Sequence, residues 1–312
     1  MKGLDEQMNS EDNYQTSENP SSTEVSRRDF VTWSLAAGLA AATSSVTGKE
    51  LQVSETEVDV KTADGTCDAV FIHPSKGTHP GVLIWHDSPG VRPVMRALGR
   101  RVASEGYSVV VPNLFYRAAR APVFDSSFDY ANNPADREKY QRITAPFFAA
   151  GAAERDAVAY VSFLDAQPQV NKKRKIGTHG YCLGGPYVMK TAAALPDRIG
   201  AGAVFHGGFL VTNKPTSPHL LAPRIKARLY FAIASDDDKR EPEVKNRLRE
   251  AFAKAKVRAE IEVYPNALHG WCVPEDGVGS GGARQSESKP SDNKADAERA
   301  WGKLVALYKT EL

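Results

Sequence analysis

The chain has little cysteine, almost no net charge and no long apolar run. Its 312 residues contain three cysteines, Cys67, Cys182 and Cys272. Three are too few for a disulfide scaffold, and no two stand at the spacing of a metal pair. Neither cross-links nor a metal centre is therefore expected to hold the fold, and no organic cofactor is implied. Lys and Arg number 40 against 38 Asp and Glu, a formal net charge of +2. That balance supplies no field to attract nucleic acid. The basic run Lys172-Lys173-Arg174-Lys175 directly precedes a strand pattern and reads as a solvated loop. A mildly apolar stretch over 31–42 is too short for a stable membrane span. Internal repeats are absent too, which excludes a solenoid.

The first residues carry their own signals. Residues 1–24 are polar and rich in Ser, Asn, Glu and Asp, a composition that cannot bury enough apolar surface to order. Arg27-Arg28 then precedes the short Ala/Gly-rich apolar stretch. Paired arginines before such a stretch resemble a bacterial twin-arginine export signal. Small residues at Ala40-Ala41-Ala42 suit a signal peptidase, so the mature protein would begin between Thr43 and Lys49. On this reading residues 1–48 are a disordered start plus signal, 49–312 form one domain, the export machinery is a partner, and the protein works in the periplasm.

The domain is organised around Lys175-Ile176-Gly177-Thr178-His179-Gly180-Tyr181-Cys182-Leu183-Gly184-Gly185. A short β-type run ends in Gly-Xaa-Cys-Xaa-Gly-Gly, and a helix-forming run over 187–195 follows at once. The pattern predicts a strand, a very sharp turn and a helix. Side chains at Gly180 and Gly184 would collide with the neighbouring strand and helix. The turn pushes Cys182 out at the carboxyl end of the sheet, near a helix N-terminus whose partial positive charge favours the reactive thiolate. A buried structural cysteine beside a Gly-rich turn is the bland alternative.

Around this elbow the chain alternates. Strands are expected over 55–61 and 66–73, joined by a hairpin turn at Ala63-Asp64-Gly65. A strand buried on both faces follows over 81–85, then a helix over 94–105 with Met95, Leu98, Val102 and Ala103 on one side, then a strand over 107–111. The stretch 113–134 is long and irregular. Its Phe115, Tyr116, Phe124, Phe128 and Tyr130 line a pocket or simply pack a loop. Further helices are expected over 152–167, 243–254 and 295–308, and strands over 201–206, 228–234 and 258–264. A Gly/Ser-rich insertion over 276–294 reads as flexible. The sum is an α/β fold, a mostly parallel sheet covered on both sides, with the leading hairpin at one edge.

The candidate chemistry lies at strand ends. The 228–234 strand runs into Ser235-Asp236-Asp237-Asp238, and the 258–264 strand into Pro265-Asn266-Ala267-Leu268-His269. The chain order is thus nucleophile, acid, base, which is the order of α/β-hydrolases. His269 can take the proton of Cys182, and an aspartate can hold its other ring nitrogen. Asp236, Asp237 and Asp238 all compete for that role.

Gly180-Tyr181-Cys182-Leu183-Gly184-Gly185, with Asp237 and His269, resembles the dienelactone hydrolase family of α/β-hydrolases, over most of the chain after the signal. Gly81 to Asp87 and Tyr107 to Arg117 support the likeness. The resemblance implies an α/β-hydrolase fold with Cys182, Asp237 and His269 as the catalytic triad. It also implies an oxyanion hole from the Leu183 N–H and one in the Asp87/Ser88 loop, and places Asp87 and Arg117 in the active site. Asp87 is then an acid beside the Cys182 thiol rather than a loop cap. Arg117 is a contact for a substrate carboxylate or an ion-pair residue. The family's type members carry Glu where this chain has Asp87, and a second arginine where it has Gly270-Trp271-Cys272-Val273. Paired arginines suit a carboxylate, so the expected substrate is a small activated ester or lactone rather than dienelactone itself. Cys272 reads as a packing thiol near His269, Cys67 as core, and His206 as structural. A Cys67–Cys272 disulfide stays open for an exported protein. The rival reading is a non-catalytic hydrolase-fold protein that binds a ligand or responds to redox through its thiol.

Overall fold

The leading hairpin forms one edge of an eight-stranded sheet. The computed structural model describes residues 51–125, 127–130, 132–273 and 293–312. The expectations for residues 1–48, including the export signal, and for 276–292 fall outside the described residues. Strand β1 (Val53–Thr62) pairs antiparallel with β2 (Gly65–Pro74) across the expected tight turn, with Thr62 opposite Gly65. The others are β3 (Gly81–Trp85), β4 (Ser108–Pro112), β5 (Ile176–Tyr181), β6 (Ile199–Phe205), β7 (Arg228–Ala234) and β8 (Ala259–Tyr264). Their order is β1-β2-β4-β3-β5-β6-β7-β8, and every pair from β4 onward is parallel. Strands β3, β4 and β5 are buried at every position, which is why β3 and β4 read as near-continuous apolar runs rather than alternating ones.

Helices cover both faces. On one side lie α3 (Ala152–Ala166), α4 (Gly185–Ala194) and α6 (Val244–Ala255), packed with Leu83, Trp85 and Phe231. On the other lie α1 (Pro93–Ser104) and α7 (Lys294–Glu311), packed with Ile84, Val109 and Tyr264. Trp85, Tyr160, Phe231 and Phe252 are among the largest fully buried side chains. Burying each such side chain stabilises the fold by about 1.5–3 kcal/mol. Among the described residues no helix is long and apolar enough to cross a membrane, and no cluster of His, Cys, Asp and Glu could hold a metal ion.

Two helices were not foreseen. Strand β7 leads directly into α5 (Ser235–Arg240), so the three candidate aspartates sit in a helical first turn. The other is α2 (Pro134–Thr144), between the irregular loop and α3. Its start is well signalled: Asn133 accepts a hydrogen bond from the Ala135 N–H at 3.0 Å, and Pro134 follows it. Only Ile143 and Thr144 of this helix are buried, however, so it leaves hardly any apolar stripe in the sequence.

Candidate active site

The elbow is built by exclusion of side chains. A Cβ at Gly180 would run into the main chain of Gly184, and one at Gly184 into the carbonyls of Trp85 and His86 on the neighbouring strand end. With both positions bare, the turn packs against β3 and throws Cys182 forward. Cys182 itself takes φ +49°, a left-handed conformation that costs energy for a residue with a side chain. One turn of 3₁₀ helix, Cys182–Gly184, then feeds α4, with Pro186 in its first turn. Leu183 is the second residue of that turn. The expected strand–turn–helix geometry is present.

Strands β7 and β8 deliver the other two groups. His269 Nδ1 lies 2.7 Å from Asp237 Oδ2. Of the three consecutive aspartates, Asp237 alone meets the ring. Asp236 turns the other way and accepts from the His269 main-chain N–H at 2.9 Å and from the Asp237 N–H at 3.0 Å. Asp238 forms an ion pair with Lys245, at 2.6 and 2.7 Å. Arg240 holds the second oxygen of Asp237. Burial would lower the His269 pKa. Hydrogen bonds to Asp237 and to Cys182, with the negative charge on each, outweigh it and push the value up to about 10. Asp237 and Cys182 thus both favour the protonated ring.

His206, expected to be structural, abuts this pair. Its ring stands edge-on to that of His269, centroids 4.7 Å apart, and Trp271 packs on it at 5.4 Å. Burial, and to a lesser degree the charge of His269, hold His206 well below the usual histidine range, so it is neutral. It gives the base a rigid, uncharged wall.

The loop after β3 departs from expectation. The carboxylate of Asp87 is gripped at both oxygens by Arg92, at 2.5 and 2.8 Å, with each side chain about 9 % exposed. The acid expected beside the thiol is thus neutralised by an arginine five residues along the same loop. Ser88 reaches the nucleophile instead, with its Oγ 3.8 Å from the Cys182 sulfur. The loop is anchored by His86, whose Nε2 accepts from the Leu114 N–H at 3.0 Å. The proton must then reside on Nδ1, which donates to the Asp87 carbonyl at 2.6 Å. Burial lowers the His86 pKa to about 4, so this neutral tautomer persists and ties the β3 loop to the β4 loop.

Arg117 is likewise occupied. It makes a two-pronged pair with Asp156, at 2.8 Å on each side, and binds Asp64 at 2.6 and 3.1 Å. Asp156 also accepts from the Tyr116 hydroxyl at 3.0 Å. Of the two roles open to Arg117, the structure supplies the ion pair. The three cysteines are free. Cys67 belongs to the core on one face of the sheet and Cys272 packs against the other, so they do not pair. Burial pushes the Cys67 thiol up to about 12, leaving it inert.

The aromatic loop packs against α2 in a cluster of rings. Tyr140 of α2 stacks on Phe124 at 5.7 Å and meets Tyr130 edge-on at 5.0 Å. Phe124 in turn contacts Phe128 at 4.2 Å and Phe115 at 6.1 Å. A hydrogen bond from Ser88 to the Tyr140 oxygen brings this cluster to the site and partly offsets the burial that raises the Tyr140 pKa. Neither Arg92 nor Tyr140 was singled out in the sequence. A basic residue shortly after Asp87 was a readable hint for Arg92; Tyr140 offered none.

Comparison with known proteins bears on the family and the fold. A sequence model of the dienelactone hydrolase family matches residues 67–312. A carboxymethylenebutenolidase of Rhodococcus opacus is 29% identical over 210 residues, which cover 66% of this chain and 76% of that protein. Among solved structures, a dienelactone hydrolase-like promiscuous phosphotriesterase from metagenomic libraries superposes with a TM-score of 0.63 at 20% identity, over 83% of this chain and 98% of that one. The dienelactone hydrolase of Anabaena variabilis gives 0.57 at 17% identity, over 84% and 99%. At such identities the structural likeness speaks for the fold, that of an α/β-hydrolase.

Proposed function

This chain belongs to the dienelactone hydrolase family, and we propose that it hydrolyses small activated esters or lactones, in the manner of a carboxymethylenebutenolidase, through a Cys182–His269–Asp237 triad. The observation that carries this reading is the place of the His269 ring, with Nδ1 2.7 Å from Asp237 Oδ2 and a hydrogen bond to Cys182.

The Cys182 thiolate attacks the carbonyl carbon, and the carbonyl π pair moves onto oxygen. The main-chain N–H groups of Leu183 and Ser88 receive that oxyanion. The intermediate collapses by expelling the alkoxide, which takes the proton of the His269 imidazolium. An acyl-thioester remains; for a lactone, the new hydroxyl stays tethered to it. Neutral His269 then removes a proton from water, hydroxide attacks the thioester, and the thiolate leaves to re-form the ion pair with imidazolium. Asp237 holds the ring so that Nε2 faces the sulfur. Thioesters deacylate readily, so a sulfur nucleophile suits activated esters and lactones and serves amides poorly.

The preferred substrates carry no carboxylate of their own. Arg117 is filled by Asp156 and Asp64, and Arg92 grips Asp87, while Gly270 to Val273 contain no arginine. The aromatic walls favour a flat or apolar acyl group. Turnover of p-nitrophenyl acetate and a lactone panel by Cys182→Ala tests the reading: activity disappears while the fold persists, and Cys67→Ala changes little. Loss in Cys67→Ala with retention in Cys182→Ala would overturn the assignment.

We further propose that Arg27-Arg28 directs export of the folded protein by the twin-arginine route to the periplasm. The support is the sequence pattern alone. Replacing both arginines by lysine retains the protein in the cytoplasm if this is right; equal export of the double variant refutes it.

A further inference from the structure

We propose that Phe209 sets specificity for the leaving group: the loop after β6 holds its exposed ring beside the nucleophile turn, as an apolar surface for the alcohol half of the ester. The inference deepens the triad reading above and rests on it. It starts from backbone strain. Four non-glycine residues have a left-handed φ among the described residues: Cys182 at +49°, His206 at +40°, Phe209 at +56° and Lys256 at +57°. Lys256 closes α6. The other three follow the carboxyl ends of the neighbouring strands β5 and β6. Such strain in a bulky residue persists only where the surroundings impose it.

The loop His206-Gly207-Gly208-Phe209 is tied to both Cys182 and His269. The Gly208 N–H donates to the Cys182 carbonyl at 3.4 Å. Gly207 lies so near the start of α4 that a Cβ on Gly185 would come within 2.8 Å of its Cα. The His206 ring packs on that of His269, with centroids 4.7 Å apart. Anchors flank Phe209 on both sides. The His206 N–H donates to the Ala232 carbonyl at 2.8 Å, and the carbonyl of buried Leu210 accepts from the His219 N–H at 3.2 Å. Phe209 is fixed between them, yet its side chain is left out. It is 72% exposed, more than any other exposed large apolar residue described, and belongs to the core on neither face of the sheet. An exposed apolar side chain alone is ordinary. One held in a strained backbone beside a nucleophile gains nothing from the fold, so its use lies with a ligand.

The Gly208 contact puts the Phe209 Cα within about 9 Å of the Cys182 carbonyl oxygen. Sheet order decides which half of a substrate the ring meets. The Ser88 loop leaves β3, on one side of β5. The Phe209 loop leaves β6, and His269 follows β8, both on the other side. In the acylation step the carbonyl oxygen turns to the Ser88 N–H, and the leaving oxygen takes its proton from His269. The alcohol half therefore lies on the β6 side, where Phe209 offers its face to an aryl or other flat apolar alcohol.

The test uses the full chain with phenyl acetate and trifluoroethyl acetate. Both esters are activated and both leave the same acetyl-enzyme, so deacylation is shared and kcat/KM reads acylation alone. Phe209→Ala lowers the kcat/KM ratio of phenyl to trifluoroethyl ester by about tenfold, the worth of one good aromatic contact. Phe209→Tyr keeps the ring and the ratio. Phe209→Gly loses the ring but relieves the backbone, so the ratio falls equally while Tm holds or rises. A ratio unchanged in Phe209→Ala overturns the proposal, as does an equal fall on both esters. A lower Tm in Phe209→Gly overturns it too, because the ring would then be packing the fold. Failure of the triad reading shows separately, as turnover of either ester that survives Cys182→Ala.

Discussion

Asp236 and His269 are joined through the backbone, not through the ring: the carboxylate accepts the His269 main-chain N–H at 2.9 Å. Its neighbour Asp237 takes the ring Nδ1 at 2.7 Å. Two adjacent acids therefore grip one histidine, one setting where the loop lies and the other setting which nitrogen carries the proton.

Their replacements should separate accordingly. Asp237→Asn can present a donor to Nδ1 and stabilise the wrong tautomer, so kcat should fall by at least about 100-fold. Asp236→Asn keeps an oxygen that can accept the backbone N–H, and should retain turnover to within about fivefold. Steady-state kinetics on the two purified variants distinguish them. A larger loss in Asp236→Asn would mean that the acid has been misassigned.

The pH profile follows from His269. The leaving alkoxide needs a proton from the imidazolium, and the pair keeps that proton until pH rises through about 10. Turnover should thus hold across neutral pH and decline on the alkaline side with a midpoint near that value. Cys182→Ala removes two of the causes that raise the pKa and leaves burial opposed by Asp237 alone, so the ring should titrate at lower pH. Proton NMR of the His269 imidazole in wild type and variant reads this; an unchanged midpoint would show that sulfur and ring do not interact.

Gly184 takes an ordinary helical φ of −70°, so its constraint is space and not backbone strain. Gly184→Ala would drive a methyl group into the Trp85 carbonyl. The elbow can relieve the clash only by moving off β3, at a cost of about 3 kcal/mol. Thermal unfolding should show a clear drop in Tm, with loss of activity even in folded material. An unshifted melting curve would contradict the packing described.

Arg117 is tested by stability and selectivity together. The Asp156 side chain is about 1% exposed, and Arg117→Ala would leave that charge buried without its main partner. Losing one member of a buried pair costs about 3–5 kcal/mol. The ratio of kcat/KM for a carboxylate-bearing ester to that for its neutral analogue should not change with Arg117→Lys. A selective loss on the carboxylate-bearing ester would restore Arg117 as a substrate contact.

Much of this protein is written in short stretches of chain. Strands β3 and β4 announce themselves because they are buried on both faces, and the elbow because Gly180 and Gly184 leave no room for a Cβ. Those are constraints between near neighbours, so a run such as Gly180 to Gly185 carries them by itself. The order of nucleophile, acid and base also follows from strand ends alone.

Other features depended on residues far apart in sequence. Successive residues of a helix point roughly 100° apart, so which of three aspartates meets His269 depends on the register of β7 against β8 and on the start of α5. The charge of Asp87 looked available to the thiol until the fold of its loop brought Arg92 onto both oxygens. Tyr140 lies in a helix with almost no apolar stripe, and becomes part of the site only because α2 is laid over the β3 loop. Local sterics and periodicity determine backbone form. The partner of a charge or a hydroxyl is determined by whichever groups the packed elements bring within about 3 Å of it, and that is a property of the tertiary structure.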